Sequence, residues 1–193
     1  ARDRKNALQL VHYVDYVDYS DLYDRSLLMY ASANGYRNIA KVLIRKGADP
    51  DLQAIDGVTA AMYAAFNGHT RIIKLLLEQD IDVDLQAVDG LTAMMLAAQN
   101  GHTAIVKLFL DNGANPNIRA FDGYTALMMA TQYGYTEIVQ MLLDKGALVD
   151  MPGPESNTTP LILASIGGFT DIAFLLLDRG ADTDIRNRDG ITA

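Results

Sequence analysis

Between Thr92 and Gly113 the apolar positions fall into two successive helical patterns. Ala97 and Ala98 form a thin helix face that lets a neighbour approach closely, and Gly101 ends that helix in a conformation suited to glycine. Ile105, Val106, Leu108, Phe109 and Leu110 then recur at three- and four-residue spacing, the apolar face of a second helix, which Asn112-Gly113 stops. The whole segment has sister copies. Asp56-Gly57-Val58-Thr59-Ala60, Asp89-Gly90-Leu91-Thr92-Ala93 and Asp122-Gly123-Tyr124-Thr125-Ala126 recur every 33 residues. The second half of the unit repeats in register as Asn67-Gly68-His69, Asn100-Gly101-His102 and Tyr133-Gly134-Tyr135, with Gly47, Asp80, Gly113 and Gly146 at its end. Two further copies bracket these, one around Ser26 and one around Thr159.

Thr59, Thr92, Thr125 and Thr159 sit where an N-cap oxygen is needed, and Pro160 follows at the first helical position, where a missing amide hydrogen costs little. A helix pair of this kind cannot bury both its faces alone, so the copies are expected to stack into an all-α solenoid with extended, hairpin-like arms along one edge. Five complete copies are expected over 23–55, 56–88, 89–121, 122–155 and 156–188. Residues 1–22 read as a partial copy, in which Asn6 to Val11 align with a second helix and Val17-Asp18 with its arm. Residues 189–193 open a sixth copy, and because a solenoid needs polar terminal caps, the protein is expected to extend beyond residue 193.

Composition narrows the partner more than the fold. The 16 basic and 24 acidic residues give a net charge of −8, which repels phosphate backbones and anionic membranes, so no nucleic-acid partner is expected. The absence of cysteine removes disulfides, thiolate metal sites and cysteine nucleophiles. It leaves the compartment open: the cytoplasm is the expectation, with the bacterial periplasm, or secretion after signal removal, as alternatives. No apolar run reaches the roughly eighteen residues of a membrane span, and no membrane insertion is expected.

Candidate chemistry dissolves into the repeat. His69 and His102 share one slot of successive copies and read as structural helix-start residues, while His12 has no cysteine or second histidine as a partner. The pairs Asp49/Asp51, Asp82/Asp84 and Asn115/Asn117 keep one spacing, as arm residues that satisfy turn amides do. Asn157-Thr158-Thr159 matches a glycosylation acceptor, but Thr159 is needed as a cap. No nucleophile elbow, phosphate loop or dinucleotide fingerprint is present, so no catalytic residue, metal or cofactor is expected, and no enzyme.

Thr-Ala-x-Met-x-Ala-Ala, Asn-Gly-His, Ile-Val-x-Leu-x-Leu and Gly-Ala-Asx-Pro-Asx together resemble the ankyrin repeat, over nearly the whole chain. Two departures stand out. Met29, Met62, Met95, Met128 and Ile162 replace the family's usual histidine, exchanging its hydrogen bond for apolar packing, and Asp80 stands where glycine is expected. The resemblance implies a protein-binding module, monomeric when free, that uses arm tips and the rim of each first helix on its concave side. Carried over by register, these positions include Tyr23, Ile55, Asp56, Val58, Phe66, Val88, Asp89, Leu91, Phe121, Asp122, Tyr124, Tyr133, Leu22 and Ile166. An exposed apolar strip rimmed by Asp56, Asp89 and Asp122 predicts a partner protein with a basic and apolar surface; alternatively the arms fold over and these side chains pack among themselves.

The one-residue insertion in Met151-Pro152-Gly153-Pro154-Glu155 makes a stiff arm, with Pro152 and Pro154 either a recognition finger or a tolerated insertion. The acidic, aromatic run from His12 to Asp24 reads as a surface for a basic partner or as a solvated capping arm. Within protein binding, a sharper variant has the partner an enzyme that the stack inhibits, protecting its maker. A structural scaffold or spacer is the reading from another class.

Overall fold

The computed structural model describes residues 17, 18, 20–153 and 157–193. The partial helix expected over Asn6 to Val11, and Pro154 in the inserted arm, lie outside the described residues.

Ten helices form among the described residues, two per repeat: α1 Leu27–Ala33 and α2 Arg37–Arg45; α3 Ala60–Phe66 and α4 Thr70–Leu77; α5 Ala93–Gln99 and α6 Thr103–Asp111; α7 Ala126–Gln132 and α8 Thr136–Asp144; α9 Pro160–Gly167 and α10 Thr170–Asp178. The odd-numbered helices stack on one another as an inner row, the even-numbered ones as an outer row, and each outer helix packs on its own inner helix. No named strand forms among the described residues, so the fold is the all-α stack that the periodicity predicts.

The inner helices are short because each is fixed at its start and thinned by alanine. Ser26, Thr59, Thr92, Thr125 and Thr159 accept from the amides of Met29, Met62, Met95, Met128 and Ile162 at 3.2–3.3 Å. Each such cap contributes about 1 kcal/mol. The methionines in the histidine slot are buried, as is Ile162, and the side chains of Ala64, Ala65, Ala97 and Ala98 are fully covered, so neighbouring helices touch nearly at the backbone. The outer helices complete the core with Leu43, Ile73, Leu76, Phe109, Leu142 and Leu176.

Three ladders tie one repeat to the next. Asp82 N donates to Asp51 and Asn115 N to Asp84, both at 3.0 Å, and Leu148 N to Asn117 at 2.8 Å. These are the arm residues expected to satisfy turn amides. In the second ladder, the Gln53 amide donates to Gly57 O of its own arm and Gln86 O of the next, and Gln86 repeats this with Gly90 O and Arg119 O. The third is a ring slot. His69, His102, Tyr135 and Phe169 lay their rings over Gly35, Gly68, Gly101 and Gly134 of the preceding repeat, where a Cβ would sit 2.7–2.8 Å from the ring. The histidines add a bond from Nε2 to Ala33 O and Phe66 O at 3.1 Å, which makes them structural, as the repeat pattern predicts.

Repeat two departs from its sisters at the end of its outer helix. Gly47, Gly113, Gly146 and Gly180 close α2, α6, α8 and α10 at φ 84–90°. There the next alanine amide reaches back five residues, as from Ala114 N to Phe109 O. Asp80 occupies that slot at φ 56°, and α4 has 8 residues where the other outer helices have 9. Neither closing bond forms from Asp80 or Ile81. Asp24 (φ 56°) and Asn157 (φ 53°) also take the left-handed conformation, at arm positions where the sister copies carry glycine. Asp and Asn are the side chains that tolerate it best.

Candidate partner-binding face

Each arm is a tight turn built from its own sequence. Gly57 N, Gly90 N and Gly123 N each donate 2.8 Å to the alanine carbonyl three residues back, and Asp56, Asp89 and Asp122 accept the amides of Val58, Leu91 and Tyr124 at 3.0–3.2 Å. The rim aspartates therefore set the turns while remaining exposed on the surface. Successive arms are joined by backbone bonds, Ile55 N to Tyr23 O at 3.0 Å, then Val88 N to Asp56 O and Phe121 N to Asp89 O at 2.9 Å. Gly57 and Gly90 permit this approach, since a Cβ on either would meet the next arm's backbone amide at 2.7–2.8 Å.

This joining divides the expected apolar strip in two. Ile55, Val88 and Phe121, at the tips, are 63%, 63% and 78% exposed and follow one another from arm to arm; Leu22 and Tyr23 extend the row towards the N-terminus. Val58, Leu91 and Tyr124 correct the expectation of open exposure. They are half-buried and pack against the core, and burial pushes the Tyr124 hydroxyl above its ordinary pKa, with Asp122 adding to the shift. These three side chains pack against the core rather than among themselves, while the tips stay exposed.

On the inner-helix rim, Phe66, Tyr133 and Ile166 are exposed, and Tyr133 stacks on Tyr135 with ring centroids 6.3 Å apart. At the first arm, the Arg25 guanidinium lies 4.9 Å from the Tyr23 ring centroid and 5.3 Å from that of Tyr30. Asp21 holds it at 2.7 Å and also accepts the Tyr30 hydroxyl, so the side-chain bonds from Arg25 and Tyr30 keep its carboxyl well below the usual range. The acidic run is thereby partly spent internally: Asp21 is paired, and Asp18 accepts Asp49 N at 3.0 Å. Tyr30 was not singled out by register; the Asp21/Arg25 pair, an acid four residues before a base, was its signal in the sequence. In the inserted arm, the Pro152 carbonyl accepts from the Arg119 guanidinium, which anchors that arm to repeat three.

No helix among the described residues is long and apolar enough to cross a membrane. No curated protein matches the chain. The family model described as Ankyrin repeats (3 copies) matches residues 28–120 and again 117–187. With paired helices stacked in two rows, joined arm to arm and matched over most of its length, the chain belongs to the ankyrin-repeat family.

Proposed function

We propose that this chain binds a partner protein through its arm tips and inner-helix rim, and that it is not itself an enzyme. Ankyrin repeats are in general protein–protein interaction modules, typically without catalysis. The observation that carries the reading for this chain is the tip row. Ile55, Val88 and Phe121 are large, apolar and exposed, and backbone bonds between arms hold them in one contiguous line. A rigid row of this kind loses little conformational freedom on binding, and its aromatic member suits an interface anchor. Tyr23, Phe66 and Tyr133 widen the surface, and Pro152 borders it where the inserted arm begins.

The partner surface that complements this face is apolar at its centre and basic around it, because Asp56, Asp89 and Asp122 rim the row on a chain of net charge −8. An enzyme whose active site the stack occludes is one such partner, and a scaffolding role is a second use of the same face. Association kinetics at two ionic strengths test the electrostatic half. Association is expected to slow as salt rises while dissociation changes little. An association rate indifferent to salt would remove the basic rim from the proposal.

A further inference from the structure

The outer helices carry a second feature that protein binding through the arms leaves unexplained. Their fifth position is polar in the first four repeats, Lys74 in α4 and Lys107 in α6 exposed and Lys41 in α2 and Gln140 in α8 half-buried; in α10 it holds Phe174, which is 62% exposed. The end of the stack is not the cause. Leu177 is 41% exposed, whereas among its counterparts beneath a following repeat Ile44 and Leu77 are half-buried and Leu110 and Leu143 are 6% and 7% exposed. A following repeat does not bury this position, since Lys74 and Lys107 stay exposed beside one and Lys41 and Gln140 are half-buried, never core.

Phe174 lies in a groove of about 580 Å³ between α8 and α10, with Leu175 in its wall and Glu137, Asp171 and Asp178 around it. Asp171, Phe174 and Asp178 are three and four residues apart and form one stripe along α10. Asp144 is tied to Arg179 at 2.5 Å and Asp111 to Lys145 at 3.1 Å, but among the described residues no cation pairs with Glu137, Asp171 or Asp178. Glu137 and Asp171 sit in first turns, where the helix dipole favours acids; Asp178 sits in a last turn, where it does not. Helix stability therefore accounts for neither Asp178 nor Phe174. The other end of the outer row has the opposite sign, with Arg37, Lys41 and Arg45 along α2.

We infer that the α8/α10 groove is a second docking site, for a helix of a partner protein that carries an apolar side chain between two basic ones. Asp171 and Asp178 are seven residues apart, about 10 Å along the axis, so the matching cations stand one heptad apart on the incoming helix with leucine-sized side chains between them. Burial of Phe174 supplies the anchor, the arginine or lysine stems cover its ring, and their charges meet the carboxylates. The site is on the outer row, away from the arm tips, so it leaves the tip row free for a different partner.

The test is an NMR titration of the intact chain, at low salt, with a synthetic helical peptide bearing arginines at i and i+7 and leucines at i+3 and i+4. A control peptide has glutamates in place of the arginines. Binding is expected to shift amides of α8 and α10, to be absent for the control, and to weaken at least about tenfold in Phe174→Ala, which leaves the charge unchanged. Asp171→Asn/Asp178→Asn is expected to weaken it as well. Absence of binding, amide shifts centred on the arms, or an affinity unchanged in Phe174→Ala would each overturn the proposal, the last by reducing the contact to unspecific charge attraction.

Discussion

Replacing Asp80 by glycine is expected to stabilise the stack by roughly 0.5–1 kcal/mol. Asp80 holds φ 56° in a slot that the four sister repeats fill with glycine at 84–90°. A left-handed backbone costs an L-residue about 1 kcal/mol or more, somewhat less for aspartate. Asp80 and Glu78 also place two negative charges at the carbonyl end of α4, a further few tenths of a kcal/mol. Against this, glycine gives the unfolded chain more freedom, a loss of about 0.5 kcal/mol. If the substitution also lets α4 close as α2, α6, α8 and α10 do, with amide bonds from positions 80 and 81, the gain lies at the upper end of the range. No steric penalty opposes it, because a Cβ at Gly47, Gly113, Gly146 or Gly180 meets nothing within 4 Å, and the slot is therefore open in either direction. Urea unfolding followed by circular dichroism is the assay, and the midpoint should rise by about 0.2–0.5 M at unchanged slope. A midpoint that stays or falls would refute the reasoning and assign Asp80 a compensating interaction.

Four other substitutions separate surface from frame. Tyr124→Asp should lower the melting temperature sharply, by a cost of about 2 kcal/mol for a charge forced against the core, while Phe121→Asp three residues earlier should leave it unchanged; equal melting of the two would contradict the division of the strip. Gly57→Ala should destabilise by more than about 1 kcal/mol in thermal melts, since the added Cβ meets Val88 N at 2.8 Å in a left-handed backbone, and a neutral outcome would mean that the arms are not held at this spacing. Asp84→Asn should stabilise the protein at pH 7 and not at pH 3. Burial raises the Asp84 carboxyl above its ordinary pKa, with the nearby Asp82 charge adding to the shift, so its ionised form is disfavoured in the folded state. Stability from such a group is fully present below the unfolded pKa and is lost as pH rises through the folded one. Asn117 already does the same work in repeat three, accepting Leu148 N at 2.8 Å, and denaturant melts at the two pH values check it.

Much of the frame was legible because the repeat forces each local choice to agree with its sisters. The threonine caps, the left-handed helix stop at Asp80 and the structural role of His69 and His102 all follow from slots that recur. What the sequence withheld was the direction of individual arm side chains. Ile55 and Val58 are both apolar and three residues apart, and only the turn between them, closed by Gly57 N on Ala54 O, turns one out and the other in. The ring-over-glycine slot was hidden as well, because its two halves belong to different repeats and its rings are histidine, tyrosine or phenylalanine in turn. Phe174 was concealed by the opposite effect: an apolar residue in an amphipathic helix reads as core until its register is compared with Lys41, Lys74 and Lys107.

The central claim is that the exposed tip row holds a partner protein. Its most direct measurement is affinity capture from a native extract with the intact chain and with Ile55→Asp/Phe121→Asp, after both have been shown to melt alike. Both positions lie outside the core, so the fold is expected to survive the change. A specific protein retained by the intact chain and released by the double variant, with a loss of at least about 2 kcal/mol in the affinity then measured for the purified pair, is the predicted result. A partner held equally well by both chains would contradict the claim and move the interface elsewhere on the stack.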